Sequence, residues 1–356
     1  MGILLRESYS EYEAFCRGHR NGNIMQSVLW QGVKSGWGHE VVVSRGADGT
    51  IRGGMSVLVQ RIPVLGVCLL YAPRGPVCDL TDRSVLEDLL AGAGEIARKH
   101  KGYALRIDPD ILIGDEFSSL ARELGFKVFL GGDGFETIQP RFNIRLYLEG
   151  RSEEALLANM TQQTRRNVRI AQKRGVEVHV RGAEGLDEFM RLMVITGARD
   201  GFTVRGRGYF EQLLSALGEH CRLYMAYYEG QPLAGAIATN YAGKCCYLYG
   251  ASDNAHRNLM PTYLVQWEMV RWAAQTGCSV YDFHGVSGNI KEEGNPLYGL
   301  YRFKKGFGGT LDEGAGEFDY VYMPVRAKLA GMIISLNERR IVLRRKLREW
   351  LHRGKA

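Results

Sequence analysis

A chain of 356 residues, 45% hydrophobic and 24% charged, has the apolar material for two folded domains and is no disordered polymer. No run approaches 18 apolar residues, and the first ten residues carry Arg6 and Glu7 in place of an apolar segment, so neither a membrane span nor a secretory signal is expected. The seven cysteines form no Cys-x-x-Cys pair, which favours reduced core thiols in the cytosol over a zinc site or a disulfide framework, and the net charge of +7 suits an anionic partner such as a nucleotide, a phosphate ester, RNA or an acidic membrane surface.

The first half alternates helix and strand. Residues 10–20 read as a short helix, and Trp30, Val33 and Trp37 recur at helical spacing with Lys34 among them. Residues 40–45, 54–61 and 67–71 read as strands joined by Gly-rich turns, stopped by Tyr71-Ala72-Pro73-Arg74-Gly75-Pro76. A helix over 84–99 places Val85, Leu89, Ala93 and Ile96 on one face. Strand 104–107 ends at Asp108-Pro109, where both turn chemistry and a base fit the aspartate. A helix over 117–124 and strand character across 135–148 complete this half.

Residues 152–174 read as one helix, capped by Ser152, with Glu153 and Glu154 in its first turn and Gly175 at its end. Its C-terminal half carries Arg165, Arg166, Arg169, Lys173 and Arg174, which fit either a solvated face or a surface for a polyanion. Strand 176–180, helix 185–199 and a loop with Arg205, Arg207 and Tyr209 follow, and another helix starts near Tyr209. Strands at 222–228, 233–240 and 245–249, the last ending in Tyr247-Leu248-Tyr249-Gly250, lead to a helix over 260–276.

Strand 279–283 then opens the most informative stretch. A loop over 285–296, rich in Gly, Asn and charge, precedes Tyr298, Tyr301, Arg302, Phe303, Lys304 and Lys305. A strand end, an irregular loop and an aromatic–basic cluster suit an anionic substrate, although a plain β–loop–α connection fits the residue types as well. The chain closes with an amphipathic helix over 324–353. Its apolar face of Leu329, Met332, Ile333, Leu336, Leu343, Leu347, Trp350 and Leu351 is expected to pack back onto a domain. The other face carries Arg339, Arg344, Arg345, Lys346 and Arg348, which also suits anionic lipid or RNA.

The halves rhyme. Each has a β-meander with Gly early in its second strand (Gly54; Gly235), a third strand ending in Tyr (Tyr71; Tyr249), a long helix, and a short strand ending at an Asp (Asp108; Asp282). This pattern predicts an α/β (α+β) chain of two similar domains, 1–149 and 150–323, the first completed by the C-terminal helix 324–356. There is no Walker loop, no Gly-x-Gly-x-x-Gly after a strand and no His-Glu-x-x-His. Gly285-Val286-Ser287-Gly288 misses the nucleophile elbow by one position, and His284 reads as a structural histidine. No motif points to a covalent nucleophile or a metal.

Seven motifs in order carry a resemblance: Gln26…Trp30…Lys34, Tyr71-Ala72-Pro73-Arg74-Gly75-Pro76, Arg106-Ile107-Asp108-Pro109, Thr164-Arg165-Arg166-Asn167-Val168-Arg169, Tyr249-Gly250-Ala251-Ser252, Tyr281-Asp282-Phe283 and Phe303-Lys304-Lys305-Gly306-Phe307-Gly308. Over roughly residues 20–325 the chain resembles the FemABX family of tRNA-dependent peptidoglycan aminoacyltransferases, in its compact branch without a helical-hairpin arm. The resemblance implies two domains of the GNAT acyltransferase type, each a mixed, mainly antiparallel sheet flanked by helices. It implies transfer of Gly, Ala or Ser from aminoacyl-tRNA to an amine of the peptidoglycan stem peptide, carried on UDP-MurNAc-pentapeptide or lipid II. Such an enzyme would work in the cytoplasm or at the inner membrane face, with aminoacyl-tRNA as co-substrate, no coenzyme A and no metal.

By the same resemblance Lys34 and Arg205 hold the acceptor's diphosphate and peptide, Tyr209 contacts substrate, and Tyr249 with Tyr247 lines the cleft. Phe303 and Lys304 fall at the reacting centre, with Lys305 as a further substrate contact that a one-residue slip would exchange with Lys304. Asp108 is the family's candidate proton acceptor, with assistance by the substrate itself as the alternative. Arg165, Arg166 and Arg169 would meet the tRNA. An aminoacyl ester is already activated, so the residues need only position two large anions and stabilise an oxyanion, a task for fixed cations. Three rivals remain open: an acetyltransferase, although 256–261 lacks the glycines of a pyrophosphate loop; a relative acting on a small molecule or lipid; and a non-enzymatic RNA- or membrane-surface protein.

Overall fold

The structure, a computed structural model, describes residues 2–114, 116–134, 136–289 and 297–336. The first half comprises β1 (Gly2–Ile3), α1 (Tyr9–Gly18), α2 (Trp30–Val33), β2 (Gly38–Arg45), β3 (Ile51–Ile62), β4 (Val67–Ala72), β5 (Val77–Cys78), α3 (Arg83–His100), β6 (Gly102–Ile107), α4 (Glu116–Glu123), β7 (Lys127–Phe129) and β8 (Phe142–Tyr147). The second comprises α5 (Glu153–Asn159), α6 (Gln162–Lys173), β9 (Glu177–Arg181), α7 (Leu186–Asp200), α8 (Arg207–Leu217), β10 (Cys221–Tyr228), β11 (Gln231–Tyr241), β12 (Lys244–Ser252), α9 (Pro261–Gln275), β13 (Val280–Gly285), α10 (Tyr298–Lys305), β14 (Thr310–Glu313) and β15 (Glu317–Val321). A last helix, α11, covers 324–336.

The duplication is visible in the topology. β2, β3 and β4 form an antiparallel meander, α3 crosses over, and β6 returns parallel to β4. β10, β11 and β12 repeat the meander, α9 crosses over, and β13 returns parallel to β12. α3 is held as its pattern predicts: Val85, Leu89, Ala93 and Ile96 are buried, and the Asp82 side chain accepts a hydrogen bond from the Val85 N–H at the first turn.

The halves trade one strand each. β8 inserts between β13 and β14 in the second sheet, and β15 inserts between β6 and β7 in the first. Each sheet therefore takes its next-to-edge strand from the other half of the sequence. A shared apolar core adds to this bond, with Tyr12, Trp30, Val41, Leu58 and Tyr71 on one side and Phe189, Leu192, Phe210, Met225 and Ile237 on the other. The cleft between the sheets thus has walls fixed by backbone pairing as well as by packing.

Three readings of the sequence are corrected. The single helix expected over 152–174 is two helices, because Met160 is extended and Thr161 starts a new turn by accepting from the Thr164 N–H. Strand structure in 135–148 is confined to 142–147. The apolar face of the C-terminal helix does not pack onto a domain in the described residues: Leu329, Met332 and Leu336 are exposed, and Ala327 and Ala330 make the contact instead. Leu343, Leu347, Trp350, Leu351 and the Arg/Lys cluster from Arg339 to Arg348 lie outside the described residues, as does 290–296 of the Gly-rich loop.

Phe189 is fully buried in the shared core and packs edge-on against Phe210 at 5.4 Å. Phe189→Ala is expected to destabilise the protein by about 3–5 kcal/mol. Urea denaturation followed by circular dichroism should show one earlier transition for the whole chain; two separated transitions would contradict the coupling of the halves.

A candidate active site between the sheets

The site begins where two strands part. The parallel pairing of β12 with β13 ends at Cys246 and Asp282. Beyond it, β12 carries a bulge at Leu248: Tyr249 pairs with Ile237 and Tyr247 with Ala238. The extra residue turns Tyr247 and Tyr249 to opposite faces of the sheet, against the two-residue period of a strand. Gly250 lets the Tyr247 ring lie along the strand, since a Cβ there would meet the Tyr247 hydroxyl.

Lys304 fills the gap. It lies on α10, is 4% exposed, and its Nζ donates to the main-chain oxygens of Gly285 at 2.7 Å and His284 at 3.3 Å. The ammonium stands 5.6 Å from the centre of the Tyr247 ring. Burial holds its pKa down to about 8, against the opposing charge of Asp282. Phe303 faces away into an aromatic cluster, 4.9 Å from Tyr263 and 5.6 Å from Phe307, and so anchors α10. His284 adopts a left-handed backbone with φ of 64°, supported by its N–H donating to Asp282 at 2.7 Å. Its imidazole is kept neutral by burial, which lowers its pKa to about 4.

His284 also borders a cavity of about 300 Å³ between the sheets. Arg74, Asp110 and Leu112 come from the first half, and Arg145, Lys244, Cys246, Leu248 and Asp282 from residues of the second sheet. Arg145 contacts Asp110 and Asp282, and Lys244 lies 3.4 Å from Asp110. Burial raises the Asp110 carboxyl, but Arg145, Lys244 and Arg74 outweigh it and keep the group well below the usual carboxylate range. Asp108 is buried behind this wall. Its carboxylate accepts from the Tyr71 hydroxyl at 2.6 Å and from the Arg74 N–H at 2.5 Å, and burial raises its pKa to about 6. Arg74 itself is left-handed, with φ of 57°. Asp108 thereby fixes a strained turn that carries Arg74 to the cavity.

A second cluster forms on the Tyr249 face. The Tyr209 and Tyr249 hydroxyls are 2.9 Å apart, and the Arg205 guanidinium lies 4.6 Å from the Tyr209 ring centre. Lys34 is half-buried at the end of α2, where burial and the Arg205 charge lower its pKa. Among the described residues neither cation has a carboxylate within ion-pair distance. Two such cations near each other have the chemistry to receive a doubly charged anion.

The remaining expected residues divide. Lys305 donates to the Gly309 oxygen at 2.7 Å, in the chain that follows α10, and does not share the oxygens that hold Lys304. Arg165 is engaged with the main-chain oxygens of Leu157 and Ala158 at the end of α5. Arg166 and Arg169 are exposed on α6, with Lys173 on the same face. The Thr161 N–H donates to the Gly306 oxygen at 2.9 Å, so α6 starts where α10 ends. Sequence reasoning set His284 aside and passed over Arg74, Arg145 and Asp110 as site residues. The signal for Arg74 was its place in the Tyr-Ala-Pro-Arg-Gly-Pro motif. For Arg145 and Asp110 there was none, because the exchanged strand β8 brings Arg145 to Asp282 across 137 residues. Among the described residues no group of three His, Cys, Asp or Glu could hold a metal ion.

Comparison with known proteins supplies the context. A profile of the FemAB family matches residues 8–231 and 227–334. The lipid II:glycine glycyltransferase of Staphylococcus epidermidis is 31% identical over 408 aligned positions, covering 95% of this chain and 97% of the relative. That of Staphylococcus aureus is 30% identical over 413 positions with the same coverage. Both spans exceed the 356 residues here, so these relatives carry insertions that this chain lacks. The crystal structure of FemX superposes with a TM-score of 0.86 at 28% identity, covering 92% of this chain and 99% of that one. A tandem GNAT protein from the clavulanic acid pathway shares the fold at a TM-score of 0.53 and 13% identity, covering 90% of this chain and 97% of its own. The two sheets with their helices are thus a tandem GNAT-like architecture.

Lys34→Ala and Arg205→Ala should each weaken binding of a diphosphate-bearing ligand by about 10- to 100-fold, the range for one charge-assisted contact. Calorimetric titration with a nucleotide-sugar diphosphate checks this; unchanged affinity in both variants would move the anion site elsewhere.

Proposed function

Since the chain belongs to the FemAB family, we propose that it transfers an aminoacyl group, glycine by analogy with its glycyltransferase relatives, from aminoacyl-tRNA to an amine of the peptidoglycan stem peptide on lipid II, starting the interpeptide bridge. One observation carries the reading. An ammonium has three N–H donors, and two of those on Lys304 are held by the Gly285 and His284 oxygens. Among the described residues the third has no partner, and we assign it to a reacting group, on a cation held in place by the other two.

The chemistry follows. The neutral amine attacks the ester carbonyl carbon; a C–N bond forms and the carbonyl oxygen takes up the electron pair. The free donor of Lys304 stabilises that oxyanion, in a setting where burial strengthens the contact. When the carbonyl re-forms, the C–O bond to ribose breaks. The proton lost by the amine ends on the ribose oxygen, so the net exchange needs no external acid or base. We assign Asp108 to holding Arg74 at the cleft wall, because both of its oxygens are already engaged. Lys34 and Arg205 take the acceptor's diphosphate, and Tyr209 and Tyr249 shape the adjoining wall. Arg166, Arg169 and Lys173 form a phosphate track that starts beside the Lys304 helix, and Phe303 fixes that helix from behind.

The test is transfer of labelled glycine from charged tRNA to lipid II, in wild type and Lys304→Met. The variant should lose about 10²- to 10³-fold in kcat with little change in KM for either substrate. Lys304 is charged below its pKa of about 8, so the wild-type rate should fall as pH rises through that value. The falling limb should vanish in Lys304→Met. A variant with wild-type kcat, or an unaltered falling limb, would remove Lys304 from the reaction.

A further inference from the structure

Helix α11 presents its apolar side chains to solvent. Val325, Leu329, Met332 and Leu336 are 75%, 40%, 56% and 56% exposed. They recur at intervals of four, three and four residues and so form one stripe along the helix. The side that meets the protein is made of small residues. Ala330 is fully buried and Ala327 partly so, against Ile62, Val67, Leu69, Tyr103 and Ala104 of the first sheet. A helix that packed for stability alone would place Leu and Met inward and Ala outward. Here the order is reversed. Leu65 belongs to the same apolar cluster as Ala327 and Ala330, and its neighbour Val64 is 80% exposed, which adds an exposed apolar side chain on the turn next to that contact.

Charge identifies the occupant. Arg326 and Lys328 are exposed on α11 itself, and Arg61 is exposed beside Ile62. The 20 residues that follow, 337–356, carry eight Lys or Arg against two Asp or Glu. A second copy of the chain on this stripe would bring like charges together. RNA would satisfy the cations and leave the stripe in water. An anionic bilayer surface satisfies both, taking the apolar side chains at the acyl boundary and the cations at the headgroups. No helix of the described residues is long and apolar enough to cross a membrane.

We propose that α11, with the Val64 turn, docks the protein on an anionic lipid surface through the Val325, Leu329, Met332 and Leu336 stripe. The proposal goes beyond the transfer reaction and stands on different residues.

Flotation with phosphatidylglycerol-containing vesicles, free of any peptidoglycan precursor, tests it apart from the reaction. Full-length protein should float with these vesicles, release as salt is raised, and stay behind with pure phosphatidylcholine. The Leu329→Ser/Met332→Ser/Leu336→Ser variant should bind at least about tenfold more weakly at an unchanged melting temperature, since only exposed side chains change. Arg326→Glu/Lys328→Glu should lower binding at low salt. The proposal falls if wild type does not float or if the serine variant floats as well. It also falls if light scattering shows a dimer that the serine variant dissolves, or if that variant loses tRNA binding while keeping its lipid binding.

Discussion

The site depends on one constraint: strands β12 and β13 separate beyond Cys246 and Asp282, and Lys304 bridges the gap they leave. A parallel pair that stayed in register would use its main-chain groups in the ladder. Parting them frees carbonyl oxygens, and a buried ammonium needs such acceptors. The bulge at Leu248 belongs to the same solution, since it sends Tyr247 to the lysine and Tyr249 to the Lys34–Arg205 side. One irregular strand thus reaches the Lys304 site on one face of its sheet and the Lys34–Arg205 pair on the other.

The exchanged strands explain how these clusters keep their geometry. A cleft between two independent domains would open and close with their hinge. Here β8 of the first half is an interior strand of the second sheet, paired on both sides, and β15 of the second half is likewise interior in the first. Arg145 rides on β8 and meets Asp282 on β13 and Asp110 from the first domain. The ionic wall of the cavity is therefore a direct consequence of the exchange. Asp108 and Arg74 complete it from the other side, through a left-handed turn locked by a buried carboxylate.

Much of this was legible in the sequence. Strand and helix patterns placed the meanders and crossover helices, because β4 and α3 bury continuous or periodic apolar residues that few other structures accommodate. The repeated Gly, Tyr and Asp positions disclosed the duplication, and ordered motifs pointed to Lys34, Arg205, Tyr209 and Lys304. The strand exchange was not legible, since a strand's neighbour is a tertiary property with no local signal. The helix break at Thr161 was missed because helical periodicity runs through it; its cue was a Thr three residues before another Thr at a new first turn. The outward stripe of α11 was read the wrong way round, because amphipathicity reports that one face is apolar and not which medium will cover it.

The central claim is that Lys304, held by two main-chain oxygens, meets the oxyanion of aminoacyl transfer. It is tested most directly by a crystal structure with a tetrahedral phosphonate analogue joining an aminoacyl-adenosine fragment to the acceptor amine. The account predicts an anionic phosphonate oxygen within hydrogen-bond distance of Lys304 Nζ, with the contacts to Gly285 and His284 retained. An analogue bound with that oxygen facing Arg74 or solvent, and Lys304 still closed on its carbonyls, would contradict it.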